Sequence, residues 1–72
     1  MQEKILEIIS RITDISVSDL KNKSSEDGLW DSMKHIEIVL SLESEFNVSF
    51  TQEEIIELKN INKVTSIIQK KS

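Results

Sequence analysis

The sequence of 72 residues contains no cysteine and no proline, and Gly28 is its only glycine. Without cysteine, the chain can form neither a disulfide nor a thiolate zinc site. Its one histidine, His35, cannot build a metal site without carboxylate ligands, so we expect no metal. Because glycine and proline are so scarce, the ends of helices must be set by serine, threonine, asparagine and aspartate.

The sequence also has fewer basic than acidic residues. Thirteen acidic and nine basic residues give a net charge of −4 at pH 7. Nucleic acids require a basic surface, so we expect no nucleic-acid binding and favour a partner with a basic patch. The sequence has no signal peptide and no apolar run of the roughly 20 residues that span a bilayer. We therefore expect a cytoplasmic protein without membrane insertion.

The length places the chain near the lower limit at which a domain folds without disulfides or metals. Apolar residues make up 38% of the sequence, which is enough for a core built from packed helices. We predict one domain over residues 1–72, monomeric and freestanding rather than part of a larger enzyme.

Apolar residues at helical spacing predict an all-α fold, a small four-helix bundle with three longer helices and a short third one. The first helix covers residues 2–13, where the i, i+3, i+4, i+7 spacing is followed by Ile5, Ile8, Ile9 and Ile12. The second covers residues 32–46. Between them lies a long connection, and loops of this length in small domains usually serve function. Ser18 could cap a short turn of helix over residues 18–21 within it.

Local capping signals delimit the last two helices. Thr51 and Glu54 have the spacing of a capping box and predict a short helix over residues 52–58. Asn60 is placed to cap the final helix, over residues 61–70.

The helix over residues 32–46 carries apolar residues around about twice the arc that a single core stripe requires. One part of this arc, suited to the core, contains Ile38, Val39, Leu42 and Phe46. The other part lies beside Glu37 and contains Met33, Ile36 and Leu40. We predict that this second face serves another molecule; the alternative is a helix covered on both sides by its neighbours.

Ser32 lies at the start of this helix, directly after Asp31. Either residue can act as the N-cap, and if Asp31 does so the Ser32 hydroxyl is left for modification. A phosphodiester on Ser32 would also sit at a helix N-terminus, where backbone donors favour an anion.

The triplet Asp31-Ser32-Met33, followed by a helix that ends Leu42-Glu43-Ser44-Glu45-Phe46, resembles the attachment site of acyl carrier proteins. The resemblance covers most of the chain and implies the acyl-carrier fold, with a covalent 4′-phosphopantetheine arm on Ser32. The longer form Gly-Leu-x-Asp-Ser-Met, from Gly28, is similar to D-alanyl carrier proteins and to freestanding carriers of secondary metabolism or glycan pathways. Fatty-acid carriers commonly have Gly-Ala before the Asp-Ser.

The resemblance also implies a role as a carrier that is a substrate of enzymes and not itself one. Its expected partners are a phosphopantetheinyl transferase, an acyl- or aminoacyl-loading ligase and a downstream transferase or synthase, in fatty acid, polyketide or secondary metabolite biosynthesis. The partner-recognition positions that it implies are Asp31, Met33, Ile36, Glu37, Leu40 and Glu43. Lys34 departs from the pattern, because many fatty-acid carriers have an acid there.

Two other functions compete with the carrier hypothesis. A catalytic serine would need a base, and the nearby candidate is His35, one helical turn after Ser32. His35 falls on the core face, however, where a packed, hydrogen-bonded histidine is the better interpretation. The second alternative is a small acidic helical adaptor that binds a partner protein without a covalent group.

The short helix carries Ile55 and Ile56 side by side, where fatty-acid carriers that the sequence resembles often have alanine at the first position. We expect both side chains to pack opposite Leu42 and Phe46. They would then fill the space that a long alkyl chain needs, so the sequence predicts a short or polar cargo.

Overall fold

A computed structural model describes residues 2–71, and this part of the chain is all-α. Five helices follow one another: α1 (Gln2–Thr13), α2 (Val17–Asn22), α3 (Ser32–Phe46), α4 (Gln52–Glu57) and α5 (Ile61–Lys71). The three longer helices and the short α4 confirm the predicted bundle. The additional helix is α2, which lies in the connection between α1 and α3.

Helix α2 begins earlier than the sequence indicated, and its cap is a different serine. Ser16 has an extended backbone, and its hydroxyl accepts a hydrogen bond from the Asp19 N–H at 3.1 Å. Ser18, the predicted cap, lies inside the helix and is exposed. Leu20 is fully buried and belongs to the core that contains α1, so tertiary packing extends what would otherwise be a single turn.

The core is formed by one face of each longer helix together with residues from the short segments. Its fully buried side chains are those of Ile5, Leu6, Ile9, Leu20, Ile38, Leu42, Leu58, Ile61, Val64 and Ile68. Phe50 is buried, and Val48 and Phe46 pack against the cluster, as the sequence pattern predicted for Phe46.

The ends of α3 and the boundaries of α4 and α5 are set by local hydrogen bonds. After α3, Asn47 is left-handed with φ 53°, and the Val48 N–H donates to the Glu43 carbonyl at 3.1 Å. The capping box of Thr51 and Glu54 is present before α4, as predicted. Asn60 caps α5 as predicted, because its side-chain oxygen accepts from the Lys63 N–H at 2.8 Å.

The long loop before α3 is attached to the start of α5. The buried Asn60 side chain donates to the Asp27 carboxylate at 2.8 Å, and the Asn62 N–H donates to the Ser24 carbonyl at 3.1 Å. These bonds satisfy polar groups at the helix end and fix the part of the loop that leads into Ser32.

One packing expectation was wrong. Ile55 packs against the core, but Ile56 is 69% exposed and does not lie opposite Leu42 and Phe46. Consecutive helical residues point about 100° apart, so one can face the bundle while the next faces solvent, as Ile55 and Ile56 do in α4.

Candidate functional site

The approach to Ser32 turns at Gly28. Its φ of +75° lies in the left-handed region, which side-chain-bearing residues seldom adopt. A Cβ there would meet nothing within 4 Å, so the requirement for glycine comes from the backbone angle and not from crowding. Leu29 and Trp30 then pack partly against the core and bring the chain to the start of α3.

Asp31 is the N-cap of α3. Its Oδ1 accepts a hydrogen bond from the Lys34 N–H at 2.9 Å, and its carbonyl accepts from the His35 N–H at 2.9 Å. Ser32 is the first helical residue and is exposed. Of the two N-caps that the sequence allowed, the structure has Asp31, and Ser32 follows it as an exposed residue.

His35 is held at both ring nitrogens. The Trp30 indole N–H donates to Nδ1 at 2.9 Å, and Nε2 lies 2.8 Å from the Ile55 carbonyl oxygen. Because an indole N–H can only donate and a carbonyl can only accept, these partners assign the neutral tautomer with the proton on Nε2. The two rings lie edge to edge and nearly coplanar, with 6.3 Å between centroids and 15° between planes, as a bond between their in-plane nitrogens requires.

This bonding leaves His35 without a ring nitrogen to take a proton from Ser32. The serine consequently lacks the general base that a catalytic serine requires. The interpretation of His35 as a packed, hydrogen-bonded residue is confirmed.

An open groove of about 330 Å³ lies beside Ser32. Its apolar wall is formed by Trp30, Ile36, Ile56 and Leu58, and Asp27, Asp31 and Lys59 supply charge at the same groove. A group attached to the Ser32 oxygen thus has both solvent and a partly apolar channel next to it.

The outward face of α3 exposes the apolar residues that the sequence assigned to it. Met33 is 77% exposed, Ile36 53% and Leu40 61%, and Glu37 is exposed beside them. Ile56 of α4 adds a fourth exposed apolar side chain on the groove that Ile36 lines. The sequence analysis did not identify Ile56 as a surface residue. Which of Ile55 and Ile56 faces the bundle depends on how α4 packs, and in the structure Ile55 and Leu58 do so.

Glu43 differs from the other acidic positions of α3. It is partly buried, and its carboxylate accepts a hydrogen bond from the Phe50 N–H at 2.8 Å. The structure thereby gives Glu43 an internal partner in the segment between α3 and α4, and its predicted role in partner recognition stays a prediction.

Within residues 2–71 no cluster of histidine, cysteine or acidic side chains is arranged to hold a metal ion. No helix in the same range has the length and apolar character needed to cross a membrane.

The geometry fits a serine-linked prosthetic group. The Ser32 hydroxyl is exposed, its neighbour Asp31 does the capping, and an open groove lies alongside. A modification at this oxygen would break no hydrogen bond that caps α3.

Comparison with known proteins agrees with this geometry. The family model described as "Phosphopantetheine attachment site" matches residues 3–68. The chain is 30% identical over 74 residues to an acyl carrier protein of Buchnera aphidicola subsp. Schizaphis graminum, which covers 100% of this chain and 94% of that protein. It is also 41% identical over 49 residues to a D-alanyl carrier protein of Leuconostoc mesenteroides subsp. mesenteroides, across 67% of this chain and 63% of that protein.

The matched span includes nearly all of the described bundle, from the first turn of α1 to the last turns of α5. Members of the matched family carry 4′-phosphopantetheine covalently on a serine and are not themselves catalytic. This chain belongs to the acyl carrier protein family and is a carrier, not an enzyme.

Proposed function

We propose that the chain, as a single domain over residues 1–72, carries its arm on Ser32 and delivers an acyl or aminoacyl cargo to partner enzymes. The observation that carries the proposal is that capping and modification fall to two different residues at the start of α3. Asp31 makes the capping bond, and Ser32 is exposed as the first helical residue. A serine that is displayed but not needed for the fold is suited to modification.

A phosphopantetheine arm supplies a terminal thiol, on which cargo is held as a thioester. The contribution of the protein is to hold the attachment point still and to let the arm reach successive active sites. Tethering converts each transfer into a reaction at high effective concentration, while the protein itself docks weakly and departs. Nothing in this role requires a catalytic group on the carrier.

Docking is proposed to use the outward face of α3. An apolar centre with a charged rim is the usual anatomy of a protein interface. The proposed apolar centre consists of Met33, Ile36 and Leu40, and the proposed charged rim consists of Asp31, Glu37 and Glu43. The exposure of Met33, Ile36, Glu37 and Leu40 supports their inclusion. The internal bond of Glu43 makes it the weakest member of the set.

The proposed partners are a phosphopantetheinyl transferase, a loading ligase for an acyl or aminoacyl group, and a downstream transferase or synthase. The similarity to a D-alanyl carrier protein supports a short or polar cargo. Ile55 supports the same class, because it occupies space next to the core with a branched side chain. Ile56 no longer contributes to this argument, since it faces the groove beside Ser32.

The test is the intact mass after incubation with coenzyme A and a broad-specificity transferase. The native chain should gain the mass of one arm, and Ser32→Ala should fold and gain none. Ser44→Ala, an exposed serine on the same helix, is the matched control and should be modified like the native chain. Modification that persists in Ser32→Ala would refute the assignment.

A thiol reagent gives an independent measurement, because the chain has no cysteine. The unmodified protein should be silent, and the modified protein should show one thiol. If the native chain gains neither mass nor thiol, the exposed face of α3 would support the adaptor function instead, in which a partner binds without a covalent group.

A further inference from the structure

Three elements are joined by the side chain of His35. The Trp30 N–H from the segment before α3 donates to Nδ1, and Nε2, on the other side of the ring, donates to the Ile55 carbonyl of α4. His35 itself lies on the first turns of α3, one turn after Ser32. The ring therefore connects the approach to Ser32 with α3 and with α4.

The two ends of this bridge depend on each other. The Ile55 carbonyl can only accept, so it holds the proton on Nε2 and keeps Nδ1 as an acceptor. Trp30 can only donate, so it needs that acceptor to satisfy its partly buried N–H. The position of α4 thus determines whether the imidazole can bind Trp30.

Trp30 is two residues before Ser32, and only Asp31 separates them. The Trp30 ring also lines the groove beside Ser32. If the indole loses its partner, the segment that leads into the cap of α3 loses its side-chain attachment to α3 and α4. The exposed face of α3, by contrast, contains none of these atoms.

We propose that His35 is a positioning residue for the modification of Ser32, because its bridge from Trp30 to the Ile55 carbonyl fixes the segment that presents the serine hydroxyl to the transferase. The inference rests on the proposed function of Ser32. It assigns His35 no contact with the reacting atoms. Its effect is on how often the docked carrier holds the Ser32 hydroxyl within reach of the pyrophosphate of coenzyme A. There the Ser32 Oγ–P bond forms, the P–O bond to adenosine 3′,5′-bisphosphate breaks and that group leaves, and the hydroxyl proton passes to a base of the transferase.

The proposal predicts a change in kcat without a change in KM. Docking uses exposed residues of α3 that the bridge does not include, so KM should stay the same. In His35→Phe the ring remains but both hydrogen bonds are lost. The kcat of Ser32 modification should then fall about five- to tenfold, the size expected for loss of one interaction of this kind.

A set of variants separates positioning from stability. Trp30→Phe removes the donor at the other end of the same bond. His35→Asn places a side-chain oxygen near the position of Nδ1 and keeps an acceptor for Trp30. Ile67→Val, a buried substitution in α5 away from the site, serves as the control for a modest loss of stability. All rates are measured well below the melting temperature of each variant.

The expected pattern is specific to one shared interaction. Trp30→Phe should lower kcat, and His35→Phe should lower it at least as much, because it also loses the bond to the Ile55 carbonyl. The double variant should lower kcat no further than His35→Phe does, because the bond between Trp30 and His35 is already lost there. His35→Asn should recover part of the kcat that His35→Phe loses, because it restores the acceptor for Trp30 but not the bond to the Ile55 carbonyl. Ile67→Val should leave kcat unchanged.

Fluorescence tests the bridge in the unmodified protein, because Trp30 is the only tryptophan. His35→Phe should shift its emission to longer wavelength and lower its anisotropy, and His35→Asn should restore both. Equal kcat in His35→Phe and Ile67→Val, or additive losses in the double variant, would overturn the inference alone. A native chain that is not modified on Ser32 would overturn both the proposed function and the inference. In that case the fluorescence would still show whether the Trp30 indole is bound to His35.

Discussion

Helices α3 and α4 each have one side that is held by the rest of the molecule and one that is left open. On the held side, Leu42 is fully buried, and Glu43 bonds to the Phe50 N–H. On the open side, two residues before Leu42, Leu40 is 61% exposed, and Glu37 is exposed beside it. Two leucines on one helix, and likewise two glutamates, therefore differ in whether they pack within the bundle or face solvent. The residue type alone does not show which of these applies to a given position.

The contrast matters for a carrier because one side must provide stability and the other must provide reversible binding. The held side must stabilise a small bundle whose sequence contains no cysteine to form a disulfide. The open side must bind several enzymes in turn and release each of them, which favours modest contacts at an exposed surface. If this division is real, substitutions on the two sides should affect different measurements.

The largest effect is expected from a matched pair of leucines. Leu42→Ala should lower the free energy of unfolding by about 2–5 kcal/mol, because it leaves a cavity in the core. Leu40→Ala should change it by less than about 0.5 kcal/mol, as exposed substitutions usually do. Chemical denaturation measures both. The comparison fails if Leu40→Ala destabilises the protein as much as Leu42→Ala.

A smaller effect is expected at Glu43. Glu43→Ala removes a charge-assisted acceptor from the Phe50 N–H, and we expect it to lower the free energy of unfolding by about 1 kcal/mol. Glu43→Gln keeps an acceptor oxygen and should lose less. Thermal unfolding of the two variants gives the result, and a Glu43→Ala protein as stable as the native one would place Glu43 on the open side instead.

Glu37 is the counterpart of Glu43 on the open side. Glu37→Lys should slow loading by the cognate enzyme and leave stability within about 0.5 kcal/mol of the native value. The loading rate of the native carrier should also fall with added salt, because exposed charges are screened over about 8–10 Å near physiological ionic strength. Loading that is unchanged in Glu37→Lys and independent of salt would show that this acid does not take part in docking.

The sequence predicted those parts of the fold that depend on local signals. The helical spacing of Ile5, Ile8 and Ile9 and the capping box at Thr51 are complete within a few residues, so their consequences follow without knowledge of the rest. The start of α3 is also local: Asp31 and Ser32 were both possible caps, and the structure shows Asp31 in that role. Much of the candidate site is thus encoded locally.

What the sequence did not predict depends on contacts between distant segments. Ser16 and Ser18 are both reasonable caps, and the structure has Ser16, whose hydroxyl accepts from the Asp19 N–H. The bond from His35 to the Ile55 carbonyl joins residues 20 positions apart, and no pattern along the chain indicates it. The outward direction of Ile56 likewise follows from how α4 packs.

The smallest expected effect concerns the held side of α4, where Glu54 bonds to Lys71 at 2.8 Å and to the Thr51 N–H at 2.9 Å. The hydrogen bond from Lys71, followed by that from the Thr51 backbone, lowers the pKa of the Glu54 carboxyl below its ordinary value. A carboxyl with a lowered pKa stabilises the folded state at pH values above its unfolded pKa. That contribution is lost as the pH falls through the lower, folded-state pKa.

We therefore expect Glu54→Gln to reduce the acid sensitivity of the melting temperature. Melting temperatures of the native protein and the variant are compared from neutral pH down into the range where carboxyls titrate. The native curve and the Glu54→Gln curve should converge at the acid end, because the protonated carboxyl is uncharged like the amide and no longer forms an ion pair with Lys71. Parallel curves over the whole range would show that the ion pair with Lys71 adds nothing to stability and that α4 is held by its apolar contacts alone.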